Sequence, residues 1–192
     1  MPADPSRTLI DEILTQTIRL HERLRAQDPE LILAAAGAIT NALRRGGKVL
    51  IFGNGGSAAD AQHVAAELMG RFRRERRALP AVALTTDTSI LTSIGNDYSY
   101  EVVFARQVEG LGRPGDIALG ISTSGRSPNV VAAFKKAKAA GLITIALTGR
   151  DGGPVGEAAD IHLNVPDDST ARVQEVHRTI LHIVCELVEN EA

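Results

Sequence analysis

The chain has 192 residues, 21 basic and 23 acidic side chains, and a formal net charge of −2. That length suits one domain with a real core, and the balanced charge excludes capture of nucleic acid by a broad basic field. Four Phe, two Tyr and no Trp exclude base-stacking platforms and ring-stacking sugar sites, and a single Cys excludes an internal disulfide or a multi-Cys zinc site.

Residues 1–7 hold two prolines, an Asp and no basic cluster. No apolar stretch follows them, and no run is long enough for a bilayer, so a cytoplasmic protein without leader or membrane contact is expected. Residues 6–26 carry Leu9, Ile10, Ile13, Leu14, Ile18, Leu20 and Leu24 at a helical period. Asp28-Pro29 reads as N-cap and first residue of a second helix, which runs to about Arg45 and stops at Gly46-Gly47. No strand separates these helices, so residues 1–46 are predicted as an N-terminal helical hairpin preceding an α/β region, 47–192, of one domain.

Short apolar runs at 48–52, 80–84, 117–121, 142–147 and, more weakly, 161–165 are predicted strands. Helical stretches at 58–71, 127–140 and 170–189 alternate with them. This rhythm predicts an α/β fold, a five-stranded parallel sheet with helices on both faces. Residues 71–77 hold five arginines and one Glu, equally a solvated helix end or a ligand-facing patch.

Open α/β sheets bind ligands at the carboxyl ends of their strands. After the first strand comes Gly53-Asn54-Gly55-Gly56-Ser57, opening a helix. Its glycines allow close backbone approach, and the helix N-terminus favours an anion. Gly53, Gly55 and Ala58 also fit a relaxed dinucleotide pattern. The nearest later acid, Asp87, lies too far on for ribose recognition, and no nucleotide cofactor is expected. After the third strand comes Ser122-Thr123-Ser124-Gly125-Arg126-Ser127-Pro128. Ser127-Pro128 suits an N-cap, but four hydroxyls exceed what capping needs, and the turn reads as a phosphate cradle. His63 and Glu67 share one helix face. With Gln174 and His182 of the last helix they form a plausible N/O set for zinc, although spacing alone does not bring the two helices together. Cys185 and His177 read as core or unassigned, as does His21, and Arg71 as a helix ion pair with Glu67.

The strings GNGGSAADAQHVAAEL, ALTTDTSILTSIGNDY, GDIALGISTSGRSPNV, ALTGRDGG and ARVQEVH occur in order, and together the chain resembles the phosphoheptose isomerases, proteins of the sugar-isomerase (SIS) domain. The resemblance runs from about residue 7 to 190. It implies a flavodoxin-like or Rossmann-like three-layer fold. It implies conversion of sedoheptulose 7-phosphate to D-glycero-D-manno-heptose 7-phosphate, an early step toward nucleotide-activated heptose for lipopolysaccharide or capsule. It further implies a homotetramer with active sites at subunit interfaces, and one zinc per subunit held by His63, Glu67, Gln174 and His182. Implied substrate contacts are Asn54, Gly55, Gly56, Ser57, Asn96, Asp97, Ser122, Thr123, Ser124 and Ser127, with Glu67 and Gln174. Glu67 and His182 are the implied base and acid. Some relatives carry an acid where this chain has Ala171; Asp167 or Asp168 stands nearby.

Gln174 and His182 lie eight residues apart, about 12 Å along one helix, which predicts a site completed by a second chain. Two other readings remain: a non-catalytic SIS protein, including the kind that associates with a replication initiator, and an isomerase for another sugar phosphate. Retention of Glu67 and His182 favours the enzyme.

Overall fold

The computed structural model describes residues 4–191. The reading of residues 1–7 as free of a leader therefore falls partly outside the described residues, at 1–3. Helices α1 (Pro5–Ala26) and α2 (Glu30–Arg44) come first. Then follow β1 (Val49–Gly53), α3 (Gly56–Met69), β2 (Ala81–Ala83), α4 (Thr88–Asp97), a 3-10 turn (Tyr100–Val102) and α5 (Val103–Leu111). The second half is β3 (Ile117–Ser122), α6 (Pro128–Ala139), β4 (Ile143–Gly149), α7 (Gly153–Glu157), β5 (Ile161–Val165) and α8 (Thr170–Glu191).

The five strands form one parallel sheet in the order β2-β1-β3-β4-β5. The fold is α/β, as the strand and helix rhythm predicts. Alternate strand residues feed two separate cores. Val49, Ile51, Ile117, Leu119, Ile145 and Leu147 face α2, α3 and α8. Leu50, Phe52, Ala118 and Ala146 face α5, α6 and α7. Three of the four Phe concentrate in that second core, with Phe52 ring centroids 5.4 Å from Phe104 and 5.7 Å from Phe134. Gly120 makes room for them: a Cβ there would lie 2.6 Å from the Phe134 ring.

Several boundaries differ from expectation for local reasons. Pro29, not Asp28, occupies the N-cap of α2; the Asp28 carboxylate accepts from the Glu30 N–H at 3.1 Å. Helix α3 ends at Met69, before Arg71, because the following turn is held elsewhere. Arg71 pairs with Glu75 at 3.3 Å rather than with Glu67. Helices α4, α5 and α7 have no counterpart in the sequence reading. Both N-terminal helices pack on α8. Among the described residues no helix is long and apolar enough to cross a membrane.

The arginine-rich turn, 71–77, folds onto the end of α8. The buried Glu189 carboxylate accepts from the backbone N–H groups of Phe72, Arg73 and Arg74 at 2.8–3.0 Å. It also pairs with Arg76 at 3.2 Å, the Arg76 side chain being 9% exposed. Arg76 in turn donates to the last carbonyls of α3, those of Glu67 at 2.8 Å and Leu68 at 2.9 Å. Against the desolvation that opposes it, this bonding holds the Glu189 carboxyl below its usual range.

Cys185 is a core residue, as expected, and so is His177, which the sequence leaves without a role. His177 is fully buried, with Nε2 2.8 Å from the Thr148 carbonyl oxygen, and burial pushes its pKa down to about 4. Burial pushes the Cys185 thiol up to about 12.

Two outcomes follow. Glu189→Ala leaves Arg76 buried without a counter-charge and orphans three N–H groups, so it lowers stability by about 3 kcal/mol, measured by denaturant unfolding. For His177 the unfolded chain takes up a proton first. Stability therefore falls as pH drops from 6.5, the ordinary histidine value, toward 4, and His177→Gln flattens that part of a melting-temperature profile.

Candidate functional site

The strand order reverses between β1 and β3, the switch point at which open α/β sheets bind ligands. The two predicted loops lie there. Gly55, with φ +56°, caps α3; the Ser57 and Ala58 N–H groups donate to the Asn54 and Gly55 carbonyls, both at 3.0 Å, which leaves the Gly56 N–H without a partner among the described residues. Gly53 has no room for a side chain: a Cβ would lie 2.7 Å from the Ile121 carbonyl oxygen and 2.8 Å from the Ser57 Cβ.

The hydroxyl turn departs from simple capping. Ser127 holds the N-cap position of α6, yet its hydroxyl makes no capping bond. It lies 2.9 Å from the hydroxyl of buried Ser122, which is 3.4 Å from that of Ser124. The Ser124 hydroxyl accepts from the Arg126 N–H at 3.2 Å. The three serines thus form one linked set of donors beside a helix start, and Gly125, with φ +65°, makes the reversal. Asn96 and Asp97 close α4, exposed and bonded to each other at 2.9 Å.

Sequence spacing left open whether α3 and α8 meet. They do, running side by side in the same direction. Gln174 packs on Gly56. One turn on, Arg178 donates to buried Asp60 at 2.5 and 3.1 Å. One turn further, His63 Nε2 lies 2.8 Å from His182 Nε2 and 3.4 Å from Glu67 Oε1. Phe72 covers the His182 ring at 5.4 Å. A cleft of about 640 Å³ runs along this pairing, lined by Gly56, Asp60, Gln174, Arg178 and His182. Asp60 and Arg178 were not singled out in the sequence; Arg178 stands four residues from both Gln174 and His182, which was the available signal.

His63, Glu67 and His182 offer ligand atoms within 4.8 Å of one another. Two imidazole nitrogens and a carboxylate oxygen are a donor set that fits zinc with a position open to substrate. Gln174 stands apart from this cluster, about 12 Å along α8 from His182. His21 bonds the Thr17 carbonyl and the Thr179 hydroxyl, both at 2.9 Å. Asp167 accepts from the Ser169 N–H at 2.9 Å, and Asp168 points to solvent.

The model of the SIS domain family matches residues 14–149. The chain is 56% identical to a phosphoheptose isomerase of Roseiflexus over 98% of this chain and 95% of the relative. It is 61% identical to one of Aquifex aeolicus over 82% and 83%. Among solved structures it resembles a phosphoheptose isomerase from Francisella tularensis, with TM-score 0.94, 38% identity, and coverage of 97% and 100%. The Neisseria gonorrhoeae phosphoheptose isomerase gives TM-score 0.90 at 45% identity, covering 96% and 98%.

The geometry of the hydroxyl turn has a direct test. At Gly125 a side chain would meet the Gly152 carbonyl oxygen and demand a left-handed backbone. Gly125→Ala therefore costs about 2 kcal/mol or more. Thermal unfolding measures that loss, and calorimetric titration with inorganic phosphate detects the displaced serines as weaker binding.

Proposed function

The chain belongs to the phosphoheptose isomerases of the SIS domain family, and we propose that it converts sedoheptulose 7-phosphate to D-glycero-D-manno-heptose 7-phosphate. The observation that carries this reading is the meeting of Glu67 with two imidazoles, one of which, His182, lines the cleft. A protein that only binds a phosphosugar needs the cradle but no acid–base pair; this chain has both.

In the proposed reaction the linked serines and the N–H groups of Gly56 and Asn129, unpartnered among the described residues, hold the phosphate. The Glu67 carboxylate takes a proton from C1 of the ketose, and the His182 imidazolium gives one to the C2 carbonyl oxygen. An enediol results. Glu67 returns its proton to C2 while His182 takes the C1 hydroxyl proton, and the aldose forms with no net gain or loss. Glu67 makes no side-chain hydrogen bond to the protein beyond its approach to His63, among the described residues, so one carboxylate oxygen is available for this transfer. His63, Glu67 and His182 would hold zinc through the same atoms; a ligated imidazole has no proton to give from that nitrogen, so zinc when bound would polarise the substrate oxygens in place of the His182 imidazolium.

Two copies of the chain complete the site in this reading. Gly56 and Glu67 are eleven residues apart on α3, about 16 Å of helix. A seven-carbon sugar phosphate spans roughly 10 Å at ordinary bond lengths. That separation exceeds the length of the substrate itself, which supports a site completed by a neighbouring copy. Where copies meet is suggested by α1, whose Leu9, Ile10, Leu14 and Ile18 are all more than half exposed. The assembly proposed is a homotetramer.

Turnover of sedoheptulose 7-phosphate by the purified protein tests the reading. Glu67→Gln abolishes turnover and keeps phosphosugar binding measurable by calorimetry; retained turnover rejects Glu67 as the base. His63→Ala or His182→Ala lowers zinc affinity by more than the ~10–100-fold that loss of a supporting group costs. Ile10→Glu with Leu14→Glu shifts sedimentation to smaller species and removes activity, whereas an active monomer at high dilution counts against a shared site.

A further inference from the structure

Three chain segments converge on one side chain, Asn54. Asn54 Nδ2 donates to Asn129 Oδ1 at 2.9 Å, and Asn129 Nδ2 donates back to Asn54 Oδ1 at 2.9 Å. The Tyr100 hydroxyl donates to the same Oδ1 at 3.2 Å. Asn54 lies in the glycine loop after β1. Asn129 is the second residue of α6, just beyond the hydroxyl turn. Tyr100 stands three residues past Asp97, at the start of the 3-10 turn. The three segments are those that carry the expected substrate contacts, and no other described side chain bonds members of all three.

Donor accounting gives this hub a function. An amide oxygen has two lone pairs and an amide nitrogen two N–H groups. Both lone pairs of Asn54 are engaged, one by Asn129 and one by Tyr100. One N–H is engaged by Asn129. Asn54 therefore meets a ligand with a single free N–H and no free acceptor. The reciprocal amide pair also fixes its rotation, because two bonds in one plane leave little torsional freedom. Asn129 is 3% exposed, so water does not compete for its amide.

We infer that Asn129 and Tyr100 are positioning residues that hold Asn54 as a fixed N–H donor to a substrate oxygen and keep the three loops in register. Neither touches the substrate in this role; both act through Asn54. The inference rests on the proposed function, in which Asn54 contacts the phosphosugar. It explains why an exposed tyrosine is tied to the crevice by its hydroxyl alone, and why a polar side chain is buried at the start of α6. A purely structural role would pin α6 to the glycine loop without affecting recognition.

A double-mutant cycle separates the two. KM and kcat for sedoheptulose 7-phosphate and the melting temperature are measured for wild type, Asn54→Ala, Asn129→Ala, Tyr100→Phe, and the two doubles that include Asn54→Ala. Asn129→Ala raises KM about tenfold, the worth of one oriented hydrogen bond, and changes kcat by less than about twofold. Tyr100→Phe, whose loss at an exposed position leaves the fold intact, raises KM about threefold. In the Asn54→Ala background neither substitution raises KM further. Additive effects on KM, or a KM unmoved by Tyr100→Phe and Asn129→Ala alike, overturn the inference. If Asn129→Ala does not fold, the Tyr100→Phe arm alone decides. A wild-type protein that does not turn over the heptulose phosphate overturns the isomerase reading instead. The same cycle is then read as affinity for inorganic phosphate, where unchanged affinity overturns the hub.

Discussion

The side-by-side run of α3 and α8 is the constraint on which the rest depends. Gly56 against Gln174, Asp60 against Arg178 and His63 against His182 are successive rungs of one pairing. Each rung needs the one before it in register, because helical side chains repeat only every three to four residues. At the Gly56 rung the absence of a Cβ lets the Gln174 amide lie against the backbone, and a side chain there would displace that amide. The far end is locked by Glu189, which gathers the turn after α3 through three backbone N–H groups and Arg76. Arg76 closes the circuit by holding the carbonyl of Glu67 itself. The acid–base candidate thus sits on backbone fixed by a buried ion pair that takes no part in chemistry.

Anion recognition at the other end needs little formal charge. The net charge of −2 provides no long-range attraction for a phosphate. What the crevice offers is short-range: one unpartnered N–H at the start of each of α3 and α6, those of Gly56 and Asn129, among the described residues, and three serine hydroxyls bonded to one another. Ser127 is instructive. A serine at an N-cap ordinarily satisfies its own helix. Here its hydroxyl turns to Ser122 instead; Pro128 has no N–H, the Val130 N–H donates to the Ser127 carbonyl at 3.1 Å, and the Asn129 N–H is left without a partner among the described residues.

Much of this was legible in the sequence. Strands buried on both faces are apolar runs, and KVLIF or ITIAL cannot be placed elsewhere in a chain this short. β5 was matched to the residue. The 85–116 segment was not legible, because α4 fully buries no residue and its apolar stripe is short, with only Leu91 and Ile94 half-buried against the second core. In α5, Val103, Phe104 and Val108 are buried, but the helix is only nine residues long, too short for a firm period. The family resemblance supplied the metal set, and the structure brings together three of its four members. Gln174 was legible as a polar residue on the right helix. Its place two turns from His182 follows from the 1.5 Å rise alone. Asp60, Arg178, Asn129 and Tyr100 were missed because each acts through a tertiary contact that no local spacing encodes.

The rigidity of that pairing also bears on why the proposed enzyme would need more than one chain. Rungs a full turn apart cannot slide past one another without burying Asp60 away from Arg178, and a buried unpaired carboxylate is costly. The cluster of His63, Glu67 and His182 therefore cannot move toward the cradle of its own chain by adjustment of α3 or α8. Distance within one chain is fixed by helix rise, and in the proposed assembly a neighbouring copy supplies the other half at shorter range. On this argument association is a requirement of reach, not only of stability. The exposed stripe of Leu9, Ile10, Leu14 and Ile18 would then serve catalysis from a helix that contributes no reacting group.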